Sequence, residues 1–207
     1  MTANQDAKPG TLRPGGRTAR VRAAVLQAAG DALAESGFAG LDLAEIARRA
    51  EVGKTTVYRR WSTPAGLVAD LLADMAEQSL PRTETGTLDG DLRANARLVA
   101  KTLRDARQGA LFKAVISAAT CDTGAATALH RFYATRIAEW APCVTQAVDR
   151  GELPPGTDPH EVIRAVSAPL YYRLLATGAP VDEQAADRAA AAAAAAARAG
   201  AYPLTAP

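Results

Sequence analysis

Alanine dominates this chain: it accounts for 50 of the 207 residues, and nine alanines follow one another from Ala189 to Ala197. Alanine is the best helix former and a poor strand former, while aromatic residues make up only 5% of the sequence. No segment shows the alternating pattern of a half-buried strand. The sequence therefore predicts an all-α fold whose helices pack closely through small side chains.

Several classes of protein are not expected from this sequence. The alanine tract is its longest apolar run, too short to span a bilayer, and no apolar core follows the basic N-terminus as in a secretory signal. Cys121 and Cys143 give no disulfide framework or metal-ligand spacing, and His130 and His160 are too few for a histidine-based site. We therefore expect a cytoplasmic location, with no membrane contact, metal or cofactor.

A catalytic role has little support. The sequence contains no GxSxG, HExxH, P-loop or dinucleotide-binding motif. Asp89 and Asp91 form a carboxylate pair, but they fall in a polar linker, where solvation is the simpler interpretation. We therefore expect no catalytic residues.

Hydrophobic periodicity and capping signals predict nine helices. Their approximate bounds are 18–36, 43–50, 54–61, 64–80, 88–107, 110–120, 124–150, 159–177 and 183–200. Asp42 with Glu45, and Asp158 with Glu161, have the spacing of capping boxes. A composition shift near 81–87 marks a domain boundary. We expect a flexible basic arm at 1–17, one domain at 18–80 and a second at 81–207.

Positive charge is concentrated near the N-terminus. Residues 1–62 hold ten Lys and Arg against six Asp and Glu, whereas the remainder holds fourteen against sixteen. The stretch from Lys8 to Arg22 carries five positive charges and no acid. This asymmetry indicates a module that meets a polyanion, with a solvated basic tail as the alternative.

Two short predicted helices, 43–50 and 54–61, lie three residues apart and follow a longer helix, which is the arrangement of a helix-turn-helix. Val57 and Trp61 are apolar where the three-helix core must close. The other face of the second short helix carries a set of polar and basic residues: Lys54, Thr55, Thr56, Tyr58, Arg59 and Arg60. Such a face suits the DNA major groove, because Lys and Arg meet phosphate or guanine, Thr meets base edges, and Tyr meets phosphate.

The run LDLAEIARRAEVGKTTVYRRWSTPAGLVADLL, at 41–72, resembles the DNA-binding domain of the TetR family of transcriptional repressors, and the match extends back to Thr18. The segment RGELPPGTDPHEVIRAVSAPLYYRLLATGAPVDE, at 150–183, resembles the C-terminal regulatory domain of one TetR subgroup. This resemblance implies an N-terminal helix-turn-helix domain followed by a helical domain that dimerises and binds a ligand. It also implies a homodimer that releases a palindromic double-stranded DNA operator when a small-molecule effector binds.

The resemblance implies roles for individual residues. Lys54, Thr55 and Thr56 occupy the positions that enter the groove, and Tyr58 occupies the position of a phosphate-contacting tyrosine. Arg59 and Arg60 stand where relatives place polar or basic DNA contacts. Thr63 occupies the N-cap of the fourth helix, whose end usually meets a phosphate.

The sequence departs from the family pattern at three positions. Glu51 replaces a common turn glycine, and strain is expected there if the backbone is left-handed. Gly53 replaces a Ser or Thr cap, and Pro64 replaces a frequent lysine, so a phosphate contact is missing at each. Basic residues of the N-terminal segment are candidates to compensate at the minor groove or backbone: Arg13, Arg17 and Arg20.

The effector site is expected between helices of the second domain. Its candidate lining residues are the larger apolar and aromatic side chains: Phe112, Ile116, Phe132, Tyr133, Trp140, Tyr171 and Tyr172. For each residue alone, ordinary core or dimer packing is the simpler interpretation. Pro142 and Pro169 interrupt two predicted helices and free carbonyl groups, which can open space for a ligand.

The alanine-rich last helix has almost no large side chain to bury. We expect it to pack against a helix of a twofold-related partner, which agrees with the family's dimerisation through the last two helices. Two alternatives remain: an effector-independent architectural DNA-binding dimer, and a TetR-like activator. The first would lack a ligand-sized cavity, and the second depends on where the operator lies relative to a promoter.

Overall fold

The computed structural model describes residues 15–79 and 81–204, and it folds them into nine α-helices. These helices are α1 (Gly15–Ser36), α2 (Leu43–Arg49), α3 (Lys54–Arg60), α4 (Pro64–Glu77), α5 (Leu88–Arg104), α6 (Ala106–Ala119), α7 (Thr123–Asp149), α8 (Pro159–Tyr172) and α9 (Glu183–Arg198). Within these residues, β structure is limited to one isolated bridge between Thr157 and Pro203. The all-α prediction is confirmed. No helix in the described part of the chain is both long and apolar enough to cross a membrane.

The first helix begins three residues before its predicted start. Gly15 and Gly16 disfavour a helix intrinsically, which placed the predicted start at Thr18, yet both belong to α1. Arg17 therefore lies in a helix rather than in the predicted flexible arm, and Arg20 lies in the same helix, as predicted; both are exposed. Arg13 and the rest of the predicted arm up to residue 14 lie outside the described residues.

Side-chain caps fix where most helices begin. Asp42 accepts a 2.8 Å hydrogen bond from Ala44 N at the start of α2. Glu45 does not close the predicted capping box, because its carboxylate binds Arg48 and Arg49 instead. Side-chain caps also begin α4 to α9, at Thr63, Thr87, Asp105, Asp122, Asp158 and Asp182.

The eighth helix changes its winding after an internal proline. Pro169 cannot donate a backbone hydrogen bond, and the last predicted turns form a π-helical segment, Arg173–Thr177, rather than α-helix. The left-handed Gly178 then ends the segment. The chain thus leaves α8 through a wider turn that leads into α9.

The alanine face of α9 packs within the chain, against α5 and α8. Seven of its alanines are buried in this way: Ala185, Ala186, Ala189, Ala190, Ala193, Ala194 and Ala197. Ion pairs join α5 to α9 at both ends, from Arg97 to Asp187 at 2.8 Å and from Arg198 to Asp89 at 2.6 Å. The expectation that this face needs a partner subunit was therefore wrong, since small side chains allow α9 to lie close to its own neighbours.

The two halves of the chain meet along α1 and α4, which pack on α6 and α7 respectively. Gly124 at the start of α7 lies so close to α4 that a Cβ placed on it would be 2.8 Å from Ala65 Cβ. On the other side, Arg107 of α6 donates to Asp31 of α1 and to the Gln27 carbonyl. The N-terminal helices therefore contact the C-terminal domain at two places, where α4 packs on α7 and where α1 packs on α6.

Asp91 corrects the expectation of a solvated carboxylate pair. It is buried in α5 and accepts hydrogen bonds from the Thr85 amide at 2.6 Å and the Thr85 hydroxyl at 2.8 Å. Asp89 is exposed and pairs with Arg198. Each carboxylate therefore has a structural partner that fixes the start of α5.

Candidate functional site

The second and third helices are held against α1 by a small apolar core. Ile46, Ala47 and Val57 are completely buried, and Trp61 is nearly so. The turn between α2 and α3 is tight enough to need left-handed backbone, and Glu51 supplies it with φ of 54°. The left-handed backbone on which the expected strain depends is therefore present, and a side chain other than glycine is disfavoured there.

The opposite face of α3 is exposed, as its predicted role requires. Four side chains of this face project into solvent: Lys54, Thr55, Tyr58 and Arg59. Thr56 lies beside them and is half-buried. Within the described residues, Lys54 and Arg59 form no ion pair, so both positive charges remain available. Gly53 precedes this face without a side-chain cap, as expected from its residue type.

Arg60 lies at the edge of this face and is partly engaged inside the protein. Its guanidinium lies 5.1 Å from the Trp61 ring centroid, over the ring, and its Nε is 3.8 Å from the Asp70 carboxylate. Next to it, Thr63 caps α4 by accepting a 3.1 Å hydrogen bond from Gly66 N. The capped start of α4 therefore follows the end of α3 after only three residues.

The arginines of α2 differ from those of α3, because their charges are already balanced. Arg48 and Arg49 both donate to Glu45, and Arg49 also donates to Glu35. The hydrogen bonds from these two arginines lower the pKa of Glu45 to about 2, so its carboxylate stays charged near neutral pH. Within this domain, the uncompensated positive charge of α3 thus stands out from a neutralised α2.

A cluster of charges joins α1, α3 and α4 behind the exposed face. Arg22 of α1 donates to Asp70 at 2.7 Å and also binds Asp74, both on α4. Asp70 further accepts from the indole Nε1 of Trp61 at 3.0 Å. Burial opposes ionisation of Asp70, but the hydrogen bonds from Arg22 and Trp61 outweigh it and lower its pKa.

A cavity of about 800 Å³ lies between this charge cluster and the C-terminal helices. Phe112, Phe132, Tyr133 and Trp140 line it, as the sequence predicts. Tyr171 lines it as well, and the aromatic rings contact one another: the centroids of Phe112 and Phe132 are 5.4 Å apart, and those of Tyr133 and Tyr171 are 5.5 Å apart. Burial raises the pKa of Tyr171 to about 12, so its hydroxyl is neutral near neutral pH.

Two predicted lining residues lie elsewhere. Tyr172 is 64% exposed on the outer surface, because consecutive residues of a helix point about 100° apart and Tyr171 takes the inward position. Ile116 packs against the core one turn beyond Phe112, and the lining contributed by α6 ends at Phe112. Both assignments to the cavity are therefore corrected.

Part of the cavity wall comes from the N-terminal domain, although none of its residues was named among the predicted lining residues. Leu71, Asp74 and Met75 of α4 and Gln78, which follows its last residue, line the cavity, so the helix that follows the DNA-facing region also touches the space for a ligand. Asn95 of α5 was not predicted either, and it lines the cavity although it is almost fully buried. A polar residue within the apolar stripe of Leu92, Val99 and Leu103 was the available signal.

Two family models match the chain. Residues 25–71 match "Bacterial regulatory proteins, tetR family", and residues 82–193 match "Tetracyclin repressor-like, C-terminal domain". Together they cover both the helix-turn-helix and the helices that enclose the cavity. The second match alone spans more than half of the chain.

Curated proteins and a solved structure agree with these matches. The chain is 33% identical over 161 residues to the uncharacterized HTH-type transcriptional regulator YdeS of Bacillus subtilis, covering 77% of this chain and 81% of YdeS. It is 29% identical over 163 residues to the DNA-binding transcriptional repressor TetR of Mycobacteroides abscessus, covering 78% and 85%. The crystal structure of the TetR family regulator SCO0332 superposes with a TM-score of 0.68 at 27% identity, covering 91% of this chain and all of that one.

Proposed function

This chain belongs to the TetR family of helix-turn-helix transcriptional regulators, and from that premise we propose which surfaces carry operator binding, dimerisation and effector response. The family binds DNA operators as dimers and responds to small molecules, and its members are regulators rather than enzymes. The uncompensated positive charge on the exposed face of α3 is the observation that carries the DNA-binding proposal. Because a regulator of this family must reach its DNA operator, we propose that the protein acts in the cytoplasm.

The recognition helix is α3. Lys54, Thr55 and Thr56 at its start enter the major groove, where a lysine reads guanine or phosphate and threonines read base edges or thymine methyl groups. Tyr58 and Arg59 follow on the same exposed face and reach the sugar-phosphate backbone.

Residues around α3 complete the proposed contact surface. Arg60 borders the groove, and Thr63 presents the N-terminus of α4 to a phosphate, which suits the partial positive charge of a helix start. Arg17 and Arg20, exposed near the start of α1, contact the backbone and replace the charge that Pro64 lacks. Only a few residues of each protomer contact bases in this proposal, so one protomer specifies only a short half-site of DNA.

The dimer forms through the outer faces of α8 and α9. Their buried faces are occupied by the chain itself, but Tyr172 and Leu175 are large exposed apolar side chains on the α8 side. On α9, Ala191, Ala192 and Ala195 leave a low exposed surface over which a second copy can approach closely. A twofold dimer then sets two recognition helices about 34–36 Å apart, one turn of the DNA helix.

A charge substitution tests this interface. Leu175→Lys should give a folded monomer in light scattering, because the lysine places a charge in the contact. Leu204→Lys serves as the control, since Leu204 is also an exposed leucine but follows α9, where its backbone N–H donates to the Gly156 carbonyl. A dimer that survives Leu175→Lys, or is lost in both variants, contradicts the proposed interface.

The effector acts by changing how α4 is held. The cavity is walled by α4 on one side and by the aromatic residues of α6, α7 and α8 on the other, so a ligand there touches both domains. If the ligand-filled cavity favours a different position of α4, the two recognition helices no longer match successive grooves. To switch the population, the ligand must bind that state more tightly by a few kcal/mol.

The first test is a fluorescence-anisotropy titration of DNA that flanks the gene, against a scrambled sequence, at two salt concentrations. Tight binding to the flanking DNA alone, with a dimer-sized footprint, supports a repressor of its own gene. Equal and steeply salt-dependent binding to both DNAs contradicts sequence-specific binding at that site and favours an architectural role. The ligand-sized cavity favours the effector-controlled regulator over that alternative.

A further inference from the structure

Two residues that line the cavity each carry a buried polar atom with no hydrogen-bond partner in the described part of the chain. These atoms are the amide oxygen Oδ1 of Asn95 on α5 and the indole nitrogen Nε1 of Trp140 on α7. Asn95 is 4% exposed and Trp140 is 2% exposed, and both residues line the cavity. One atom accepts hydrogen bonds and the other donates them.

Unpaired buried polar groups are rare, because each loses its hydrogen bonds to water and gains none in return. Phe112 and Phe132, which line the same cavity, have no group that can pair with either atom. A ligand that carries both a donor and an acceptor would satisfy Asn95 and Trp140 together. A ligand of this cavity is therefore expected to carry one hydrogen-bond donor for Asn95 and one acceptor for Trp140.

The aromatic side chains that line the cavity indicate the shape of the rest of the ligand. Phe112 and Tyr171 meet edge to face with centroids 6.4 Å apart, and Phe132 and Tyr133 meet similarly at 5.4 Å. Such a cluster presents several ring faces and edges to the cavity, and aromatic pairs favour stacked or edge-to-face contacts. A flat aromatic ligand gains contacts here that an aliphatic chain of equal size does not.

The charges around the cavity argue against an ionised ligand. Arg136 is paired with Glu139, so the buried part already has a balanced charge. Near the N-terminal domain, Asp74 is bound by Arg22, and Arg107 is bound by Asp31. The remaining charged lining residues are exposed or begin a helix: Lys101, Arg104 and Asp105.

We propose that the effector is an uncharged aromatic compound of two or more rings that carries a hydroxyl or an equivalent donor–acceptor group. Asn95 Oδ1 accepts a hydrogen bond from the ligand's donor, and Trp140 Nε1 donates one to its acceptor. The rings lie among Phe112, Phe132 and Tyr171. This inference rests on the proposed effector response, and it adds the chemical class of the ligand and the two residues that select it.

Four two-ring probes separate these requirements by isothermal titration calorimetry with the full chain. They are 2-naphthol, which donates and accepts; 2-methoxynaphthalene, which only accepts; naphthalene, which does neither; and 2-naphthoate, which is charged. We expect 2-naphthol to bind at least about tenfold more tightly than naphthalene, because a site built to pair with a hydroxyl rejects the analogue without it. We expect 2-methoxynaphthalene to lie between them and 2-naphthoate to bind most weakly.

Two variants assign the selection to the two atoms. Asn95→Leu removes the acceptor with little change in size, so 2-naphthol should lose its advantage over 2-methoxynaphthalene. Trp140→Phe removes the indole N–H, so 2-methoxynaphthalene should lose its advantage over naphthalene. Thr102→Val is the matched control: Thr102 also lines the cavity, two turns along α5 from Asn95, and its loss of a hydroxyl should leave the probe ranking unchanged.

The inference is overturned if no probe binds, if naphthalene or 2-naphthoate binds as tightly as 2-naphthol, or if the ranking survives in both the Asn95 and Trp140 variants. Circular dichroism and thermal melting establish that each variant is folded before its ranking is compared. Operator anisotropy in the same samples tests the proposed function separately. If the ranking holds while DNA affinity is unaffected by 2-naphthol, the ligand class stands and the release mechanism fails. Operator binding without any probe binding overturns the ligand class and leaves the DNA-binding proposal standing.

Discussion

The indole Nε1 of Trp61 donates a 3.0 Å hydrogen bond to the Asp70 carboxylate, and this bond ties the end of α3 to the middle of α4. Asp70 is also held by Arg22 of α1, which reaches Asp74 as well. Asp74 lines the cavity. A continuous set of polar contacts therefore runs from the proposed effector site to the end of the proposed recognition helix.

Asp70→Asn tests how much this cluster contributes to stability. The amide can still accept from Trp61, but it loses its charge opposite Arg22. Hydrogen bonds between charged groups contribute about 1.5–3 kcal/mol each, and Asp70 and Arg22 are only about a quarter exposed, so we expect a loss of about 1–2 kcal/mol in the free energy of unfolding. Urea denaturation measures it, and an unchanged midpoint would mean that Asp74 alone holds Arg22.

The same carboxylate predicts a pH dependence. The pKa of Asp70 in the folded protein lies below its ordinary value of 3.8, so its contribution to stability is complete above that value and is lost as the pH falls through the lowered pKa. Denaturation measured between neutral pH and strongly acidic pH should show a shallower acid loss for Asp70→Asn than for the unmodified protein. Parallel curves would assign the acid sensitivity to other carboxylates.

The sequence predicted the helices well but not every neighbour of each helix. The alanine pattern of α9 identifies a helix with a thin face, yet any close-packed helix satisfies that pattern, including α5 and α8 of the same chain. Similarly, Tyr171 and Tyr172 are adjacent, and only the rotation of α8 decides that one faces the cavity and the other faces solvent. Local residue preferences do not determine that rotation, because it is set by packing across the whole domain.

Local backbone features were the more predictable part of the site. The left-handed turn at Glu51 follows from its position between two short helices, and the cap at Thr63 follows from a threonine before a proline. Buried polar groups were less predictable: Asp91 was interpreted as solvated, although Thr85 from the preceding loop binds it. That contact depends on how the linker folds back, which periodicity does not reveal.

Glu51→Gly should stabilise the protein. Glycine adopts left-handed backbone without the clash of a Cβ atom, so we expect a gain of about 1 kcal/mol in the free energy of unfolding. Removing an acid beside the proposed DNA surface should also tighten operator binding. Glu51→Ala is the control, since it removes the charge but keeps the Cβ: it should tighten DNA binding without the gain in stability. If both variants stabilise the protein equally, the gain comes from removing the negative charge of Glu51 rather than from relieving backbone strain.

Arg59→Ala should weaken operator binding while leaving the dimer intact. Arg59 is exposed and unpaired within the described residues, so its charge is free for a phosphate. The slope of log affinity against log salt should fall by about 0.9 for each phosphate contact that is lost. Adding Tyr58→Phe should weaken binding further if the tyrosine hydroxyl also contacts the backbone.

Lys113→Ala is the matched control for this measurement, because Lys113 is an exposed cation on α6, away from the helix-turn-helix. It changes the net charge equally and should leave the salt slope unchanged. Equal effects of the Arg59 and Lys113 variants would mean that only the overall charge matters, and that α3 is wrongly assigned as the recognition helix.

Gly109→Ala should destabilise the junction between α5 and α6. A Cβ on Gly109 would lie 2.5 Å from the Leu103 carbonyl oxygen, and because that atom belongs to the backbone, the helices themselves must move apart. Forced overpacking of this kind costs about 1–3 kcal/mol.

Gly16→Ala is the control: Gly16 lies in α1 with open space around its Cβ position, so alanine should be neutral or stabilise by up to about 1 kcal/mol. Because the junction also positions Phe112 one turn further along α6, probe binding should weaken with stability in Gly109→Ala, and an unchanged melting temperature would contradict the close contact.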